Sequence, residues 1–221
     1  MLGALKSEYY HARQGGVSLR MGMKTCFLTS VLCLLLINIG AKPVPGPAIV
    51  LDFDKAKDGT PIDVSLTGKL VANSYLASYG VTLSDVTPAT QLAILDLRKL
   101  YEGQAIRAAS GTNALGHIGS NDPISFTLNF KTPLQKVTFS RPVLIAGPTG
   151  ITFPEWKATA LDSTGRSLGD VGEPGGGYYS DSPARTFILK GPGIKGIRFN
   201  SNNHHFAAFH AAIIDDLTLF E

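Results

Sequence analysis

The chain has 221 residues, 44% of them hydrophobic, and a formal charge of +3. Four of its 20 basic residues (Lys6, Arg13, Arg20 and Lys24) and one of its 17 acidic ones (Glu8) precede residue 42, so the remainder is neutral, with 16 of each sign. A neutral chain lacks the basic footprint that binding a phosphate backbone needs, which argues against nucleic acid as a partner. Both cysteines, Cys26 and Cys33, also fall before residue 42, which leaves no disulfide for the rest.

From the amino terminus, residues 26–39 read CFLTSVLCLLLINI, an apolar run preceded by Lys24 and followed by Gly40 and Ala41. This is a signal-peptide layout, and cleavage is expected after Ala41. The run is shorter than the roughly 20 residues a membrane-spanning helix needs. Residues 1–20 lie upstream of an ordinary leader, and Met21 or Met23 would open a shorter one. Cys33 sits in the middle of the run rather than at its end, so no lipoprotein anchor is expected. The expectation is a leader over 1–41 and a secreted, extracellular or periplasmic chain.

A Pro/Gly linker, KPVPGP (42–47), follows, and one domain is expected over 49–221. Short apolar, β-branched runs then recur between turn residues: IVLDF (49–53), GVTLS (80–84), ISFTLNF (124–130), KVTFS (136–140), EWKATALD (155–162), RTFILKG (185–191), KGIRFN (195–200) and IIDDLTLF (213–220). Several alternate with period two, as half-buried antiparallel strands do. Residues 66–78 and 89–102 are candidates for helix, strand or loop, since neither carries a clean apolar stripe with both caps. DSTG (162–165) predicts a hairpin turn and GPG (191–193) a second one. Residues 169–183, GDVGEPGGGYYSDSP, read as a long glycine-rich loop. These features predict an all-β fold, an antiparallel sandwich or jelly roll.

The order LDFD (51–54), GTPI (59–62), Tyr75 with YGVTLS (79–84), WKATALDSTG (156–165), GPGIKGIRF (191–199) and IDDLTL (214–219) resembles secreted bacterial domains with a galactose-binding-like jelly roll. Such domains often occur in exported proteins bearing a PEP-CTERM sorting tail. Here Glu221 follows the last strand without that tail, and release rather than surface sorting is the expectation. The resemblance implies a carbohydrate ligand and a structural calcium where the first and last strands meet.

Acidic residues stand where that calcium would be: Asp54 after the first strand, Asp58 in the next loop, and Asp215 and Asp216 in the last strand, with Asp52 nearby. Calcium takes six to eight oxygens, from carboxylates and backbone carbonyls. No calcium-loop motif is present, and strand alternation places Asp215 and Asp216 on opposite faces, so that one of them at most is expected to point into a given site. The alternative is a set of turn-capping carboxylates and a solvated one.

For a sugar, the candidates are Tyr178 and Tyr179 with Asp181 and Arg185, and the polar stretch holding Asn203, His204 and His205, with His210 beyond. Flat aromatic faces stack on sugar rings while neighbouring polar groups bond the hydroxyls. Trp156 shares a strand face with Ala158 and Ala160 and is read as core. The histidines lack a metal-binding spacing such as HExxH and suit a solvated loop.

No GxSxG elbow, phosphate loop or dinucleotide fingerprint occurs, and GTNALGHIG (111–119), with His117, does not fit one. The reading is a secreted, non-catalytic module for a glycan, with calcium as a structural ion. The alternatives are a polysaccharide lyase or glycoside hydrolase on the same fold, and a structural or adhesive extracellular protein.

Overall fold

A computed structural model describes residues 46, 48–64, 69–87, 92–99, 106–117, 124–145, 151–153, 155–178, 181–201 and 213–221. All lie within one compact unit, Pro45–Glu221. In chain order the elements are β1 (Ile49–Leu51), β2 (Lys69–Val71), α1 (Ala72–Ser78), β3 (Val81–Thr87), β4 (Leu92–Asp96), β5 (Ile106–Arg107), β6 (Asn113–His117) and β7 (Ser125–Arg141). They continue with β8 (Val143–Leu144), β9 (Ile151–Phe153), β10 (Trp156–Leu161), β11 (Ser167–Glu173), β12 (Gly176–Tyr178), β13 (Arg185–Ser201) and β14 (Asp215–Phe220). The fold is an all-β antiparallel sandwich, as the alternating runs predict.

The main sheet runs β1-β14-β7-β13-β10-β11, with β3 also paired to β7. Its spine is β7 and β13, each 17 residues long and paired from Arg141↔Arg185 to Ser125↔Asn200. Trp156 pairs with Ser201 at one end of β13, yet its ring lies 4.8 Å from that of Phe187 near the other. Fourteen residues of straight strand would separate them by about 46 Å. The spine therefore bends back on itself, and its two halves become facing layers. Phe139 closes the gap between them, with its ring 5.2 Å from Phe199 and 6.0 Å from Trp156.

That bend corrects one expectation. GPG (191–193) does not reverse the chain; β13 continues through it, with register shifts between Lys190 and Ile194 and between Ile194 and Gly196. Likewise the two runs 124–130 and 136–140 form one strand through Pro133. DSTG does make its hairpin: Asp162 Oδ1 accepts from the Thr164 and Arg166 amides, and Gly165 takes φ +81°.

A smaller sheet, β2-β4-β6, joins the main one through the Leu115↔Ile214 bridge. All five residues of β4 are buried. Leu92 and Ile94 face the main core, while Ala93 and Leu95 face a second cluster with Leu97, Ile106, Ala114, Leu144 and Ile213. A strand covered on both faces shows no alternation, which is why 89–102 looked ambiguous as a sequence. Within 66–78 both readings hold in part, a short strand and then the helix α1, whose Ala72, Tyr75 and Leu76 are buried. The stretch 169–183 is not one loop, since β11 extends to Glu173 and β12 pairs with β9.

Candidate functional site

At one end of the sandwich β1 finishes beside the start of β14, which faces Ser140 near the end of β7, and Arg141 faces Arg185 at the start of β13. Trp156 and Glu173, paired with each other, mark the same end in the opposite layer. Most of the described candidate residues gather here.

The first strand stops because Phe53 adopts φ +59°, a left-handed conformation that breaks the ladder. Its ring stays fully buried, its amide donates to Tyr75 Oη at 3.2 Å, and its carbonyl accepts from Asn113 Nδ2 at 3.1 Å. Asp52 Oδ1 accepts from the Asp54 and Lys55 amides, both at 3.0 Å, and holds the turn that follows. Asp54 Oδ1 in turn accepts from the Thr112 amide and hydroxyl and from the Asn113 amide. Its other oxygen packs against Gly111, where a Cβ would collide with the carboxylate. Gly111 also takes φ +53°, so geometry and space both require glycine there.

The same segment, 109–113, is held from below by the last strand. Asp215 is fully buried; its Oδ2 accepts from the Ala109 and Ser110 amides at 2.8 and 3.0 Å, and its Oδ1 from the Asp216 amide. Asp216 Oδ1 accepts from Ser110 Oγ at 2.6 Å. Both carboxylates thus reach one loop, against the expectation that they diverge. The reason is local: Asp216 has φ +48°, and the β14–β7 register shifts between Asp215 and Thr218, so alternation fails at that step. Burial pushes the Asp215 carboxyl up to about 7 and the Asp216 charge adds to that, while the three amide bonds oppose it.

Asp58 does not join this set. It is exposed and caps its own turn, accepting from the Thr60 amide at 2.9 Å, a bond that lowers its carboxyl below the ordinary range.

Two hollows flank the 109–113 loop. The larger, of about 460 Å³, is open and lined by Asp52, Asp54, Lys55, Ile62 and the loop itself; the smaller, of about 260 Å³, lies on the side of Arg98 and Arg107. Both share Gly111 and Thr112. Sequence reasoning passed over Ser110, Thr112 and Asn113; the signal was the run of small donor residues, SGTN, that opens the glycine-rich segment.

Between the layers at this end sits a buried charge cluster. The Trp156 indole donates to Glu173 Oε2 at 3.1 Å. Arg141 Nε stands 2.9 Å from the same oxygen, with its N–H off the line of a hydrogen bond, and only 11% and 8% of the two side chains are exposed. Arg141 also donates to Pro142 O and Ser182 Oγ. Arg185, exposed, reaches Glu173 Oε1 at 3.4 Å and lies over the Phe187 ring. Trp156 is thus core, and the cluster ties the two layers together.

Of the sugar candidates, Arg185 is partly engaged by Glu173, Asp181 is exposed, and Tyr178 ends β12. Tyr179, Asn203, His204, His205 and His210 lie outside the described residues. His117 ends β6, paired with Leu92.

For a calcium ion, Asp54 and Asp216 fit as donors: each keeps one carboxylate oxygen that no described residue's N–H or O–H reaches. Asp215 does not fit, because amides hold both its oxygens, and neither does Asp58. Among the described residues no group of three or more His, Cys, Asp or Glu is placed to hold a metal, so carbonyls and water would have to complete the shell. Among the described residues no helix is long and apolar enough to cross a membrane.

No protein-family model matches the chain, and no curated protein matches it. Among solved structures, a cleaved adhesin domain of Lys-gingipain is similar over 78% of this chain and 97% of its own, at 12% identity and a TM-score of 0.41. A second adhesin domain of Lys-gingipain, from Porphyromonas gingivalis, matches over 79% and 98% at 13% identity and 0.40. The family 32 carbohydrate-binding module of NanJ from C. perfringens, solved with galactose, matches over 65% and 95% at 15% identity and 0.34. Likeness this distant does not extend to function.

Proposed function

We propose that this chain is an exported, non-catalytic binding module that takes a carbohydrate at the loop end of its sandwich. The observation that carries the reading is the open hollow of about 460 Å³, which Asp52, Asp54 and Lys55 line together with Ser110, Gly111 and Thr112 of the braced loop. Carboxylate oxygens accept from sugar hydroxyls and an ammonium donates to them, and a hollow of this size suits one or two sugar units. The carboxylates lining it take only backbone and threonine donors among the described residues, an arrangement that positions a loop rather than a proton in transit.

Calcium belongs to the same proposal as a structural ion. Asp54 and Asp216 would hold it, with carbonyls and water completing the shell, and it would supply positive charge beside the 109–113 loop that both carboxylates bond. Export rests on the leader-like residues 1–41.

A glycan array followed by calorimetry tests the binding reading. Neutral or acidic oligosaccharides are expected to bind, and Lys55→Ala, at an exposed position, is expected to weaken them without lowering the unfolding midpoint. Absence of any saccharide hit would leave the adhesive reading. That reading has its own support in the cross-strand row Val50–Thr218–Thr138–Ile188 on an outer face, where Val50 and Ile188 are 53% and 49% exposed.

A further inference from the structure

We infer that the smaller hollow, on the far side of Gly111 and Thr112, receives an anionic group, a carboxylate or sulfate, of the same glycan; this rests on the carbohydrate reading above. The two hollows adjoin across Gly111 and Thr112, which line both, so that one extended ligand can span them as two halves of a site, but their charges differ. One half presents the oxygens of Asp52 and Asp54 beside Lys55, while the other presents two arginines above Leu97, Ile106 and Ala108.

The arginines are suited to the task in different ways. Arg98 is fixed: its Nε and Nη2 bond the two oxygens of buried Asp96 at 3.0 and 2.8 Å, and its amide bonds Oδ1 as well. Two donors of the guanidinium are thereby used, Nη1 is left to a ligand, and the plane is set in advance. Arg107 ends β5 beside buried Ile106, is exposed, and forms no ion pair among the described residues. It brings a full fork to a planar or tetrahedral oxyanion. The apolar floor lowers the local dielectric and strengthens that contact.

The neighbouring half decides the rest of the ligand. Its carboxylates attract hydroxyl donors and repel a second anionic group, so a polyphosphate or an acidic peptide suits the cleft poorly. A sugar with one acidic substituent and neutral hydroxyls one ring away matches both halves.

The test is calorimetry of the purified chain with a galacturonate oligosaccharide, its carboxyl-reduced neutral form, and a sulfated galactan oligosaccharide. At least one acidic probe is expected to bind about tenfold more tightly than the neutral one, a preference that shrinks as salt is raised. Arg107→Ala is expected to abolish the preference while neutral binding and the unfolding midpoint stay unchanged, and Arg107→Lys to restore part of it. Which acidic probe binds tells uronate from sulfate. Equal binding of acidic and neutral probes, or a preference that survives Arg107→Ala, overturns the anionic subsite and leaves the carbohydrate reading standing. Binding of none of the three overturns both.

Discussion

Asp215 and Asp216 are neighbours in one strand, yet both hold Ser110, the first through its amide and the second through its hydroxyl. A regular strand would send the two carboxylates to opposite faces. The left-handed turn of the backbone at Asp216 brings them together, so that the last strand braces the loop between the two hollows.

The brace makes Asp215 a determinant of stability. Asp215→Ala would leave the partly buried Ala109, Ser110 and Asp216 amides without their acceptor, at a cost of about 3 kcal/mol for the three bonds together. Ser110→Ala removes only the hydroxyl bond and is expected to cost about 1 kcal/mol. Urea unfolding of the two variants measures the difference; similar losses would show that the amide bonds carry no special weight.

Gly111 and Asp54 form a coupled pair. Gly111→Ala meets both a positive φ and the Asp54 carboxylate, and a loss of about 2 kcal/mol or more is expected. Part of that loss is relieved in the double variant with Asp54→Ala, since the collision is then gone. A double-mutant cycle reads this as non-additivity, and strict additivity would contradict the packing described here.

The buried cluster between the layers predicts a large effect from a single change. Glu173→Ala removes the carboxylate that balances the Arg141 charge and leaves the Trp156 indole N–H without its acceptor. A loss of about 3 kcal/mol follows for a broken buried pair in which Arg141 keeps its bonds to Pro142 O and Ser182 Oγ. Trp156 is the only tryptophan, so its emission reports this region directly. A blue-shifted folded spectrum that moves red in step with unfolding is expected; a red-shifted folded spectrum would place the indole in water.

Among the described carboxylates held below their ordinary range, Asp96 is the buried one, in an ion pair with Arg98, and it contributes to acid stability. The Arg98 side-chain bonds hold its carboxyl below the ordinary value of 3.8, against the opposing effect of burial. The folded chain therefore keeps Asp96 charged at lower pH than the unfolded chain does. The stabilisation is complete above the ordinary value and is lost as pH falls through the depressed one. Because Arg98 is 69% exposed, the contribution is about 1 kcal/mol, and Asp96→Asn is expected to flatten the acid limb of the stability curve by that amount.

The proposed calcium is tested by thermal unfolding with added calcium and with EDTA. Calcium is expected to raise the midpoint, and Asp54→Asn or Asp216→Asn to remove the increase, since those residues keep an oxygen to offer. A midpoint indifferent to both additives would remove the ion from the proposal and leave the amides and hydroxyls of residues 109–113 as the partners of these carboxylates.

The sequence by itself determined the all-β class, because alternation of apolar and polar residues in ISFTLNF, KVTFS and IIDDLTLF is a local property of the strand. It also determined the DSTG hairpin, whose hydrogen bonds span four residues, and the core role of Trp156 beside Ala158 and Ala160. It singled out Asp54, Asp58, Asp215 and Asp216 as an acidic set but expected Asp215 and Asp216 to diverge, and it did not find the loop on which Asp54, Asp215 and Asp216 converge while Asp58 stays apart. Only the tertiary structure decided that β7 and β13 bend to build both layers, because the Trp156–Phe187 contact joins residues whose separation no local pattern encodes. It also decided that Ser110, Thr112 and Asn113 are the partners of those carboxylates. Bonds that span 58 to 106 residues of chain depend on strand register, and a single left-handed residue, Asp216, sets that register where the site is built.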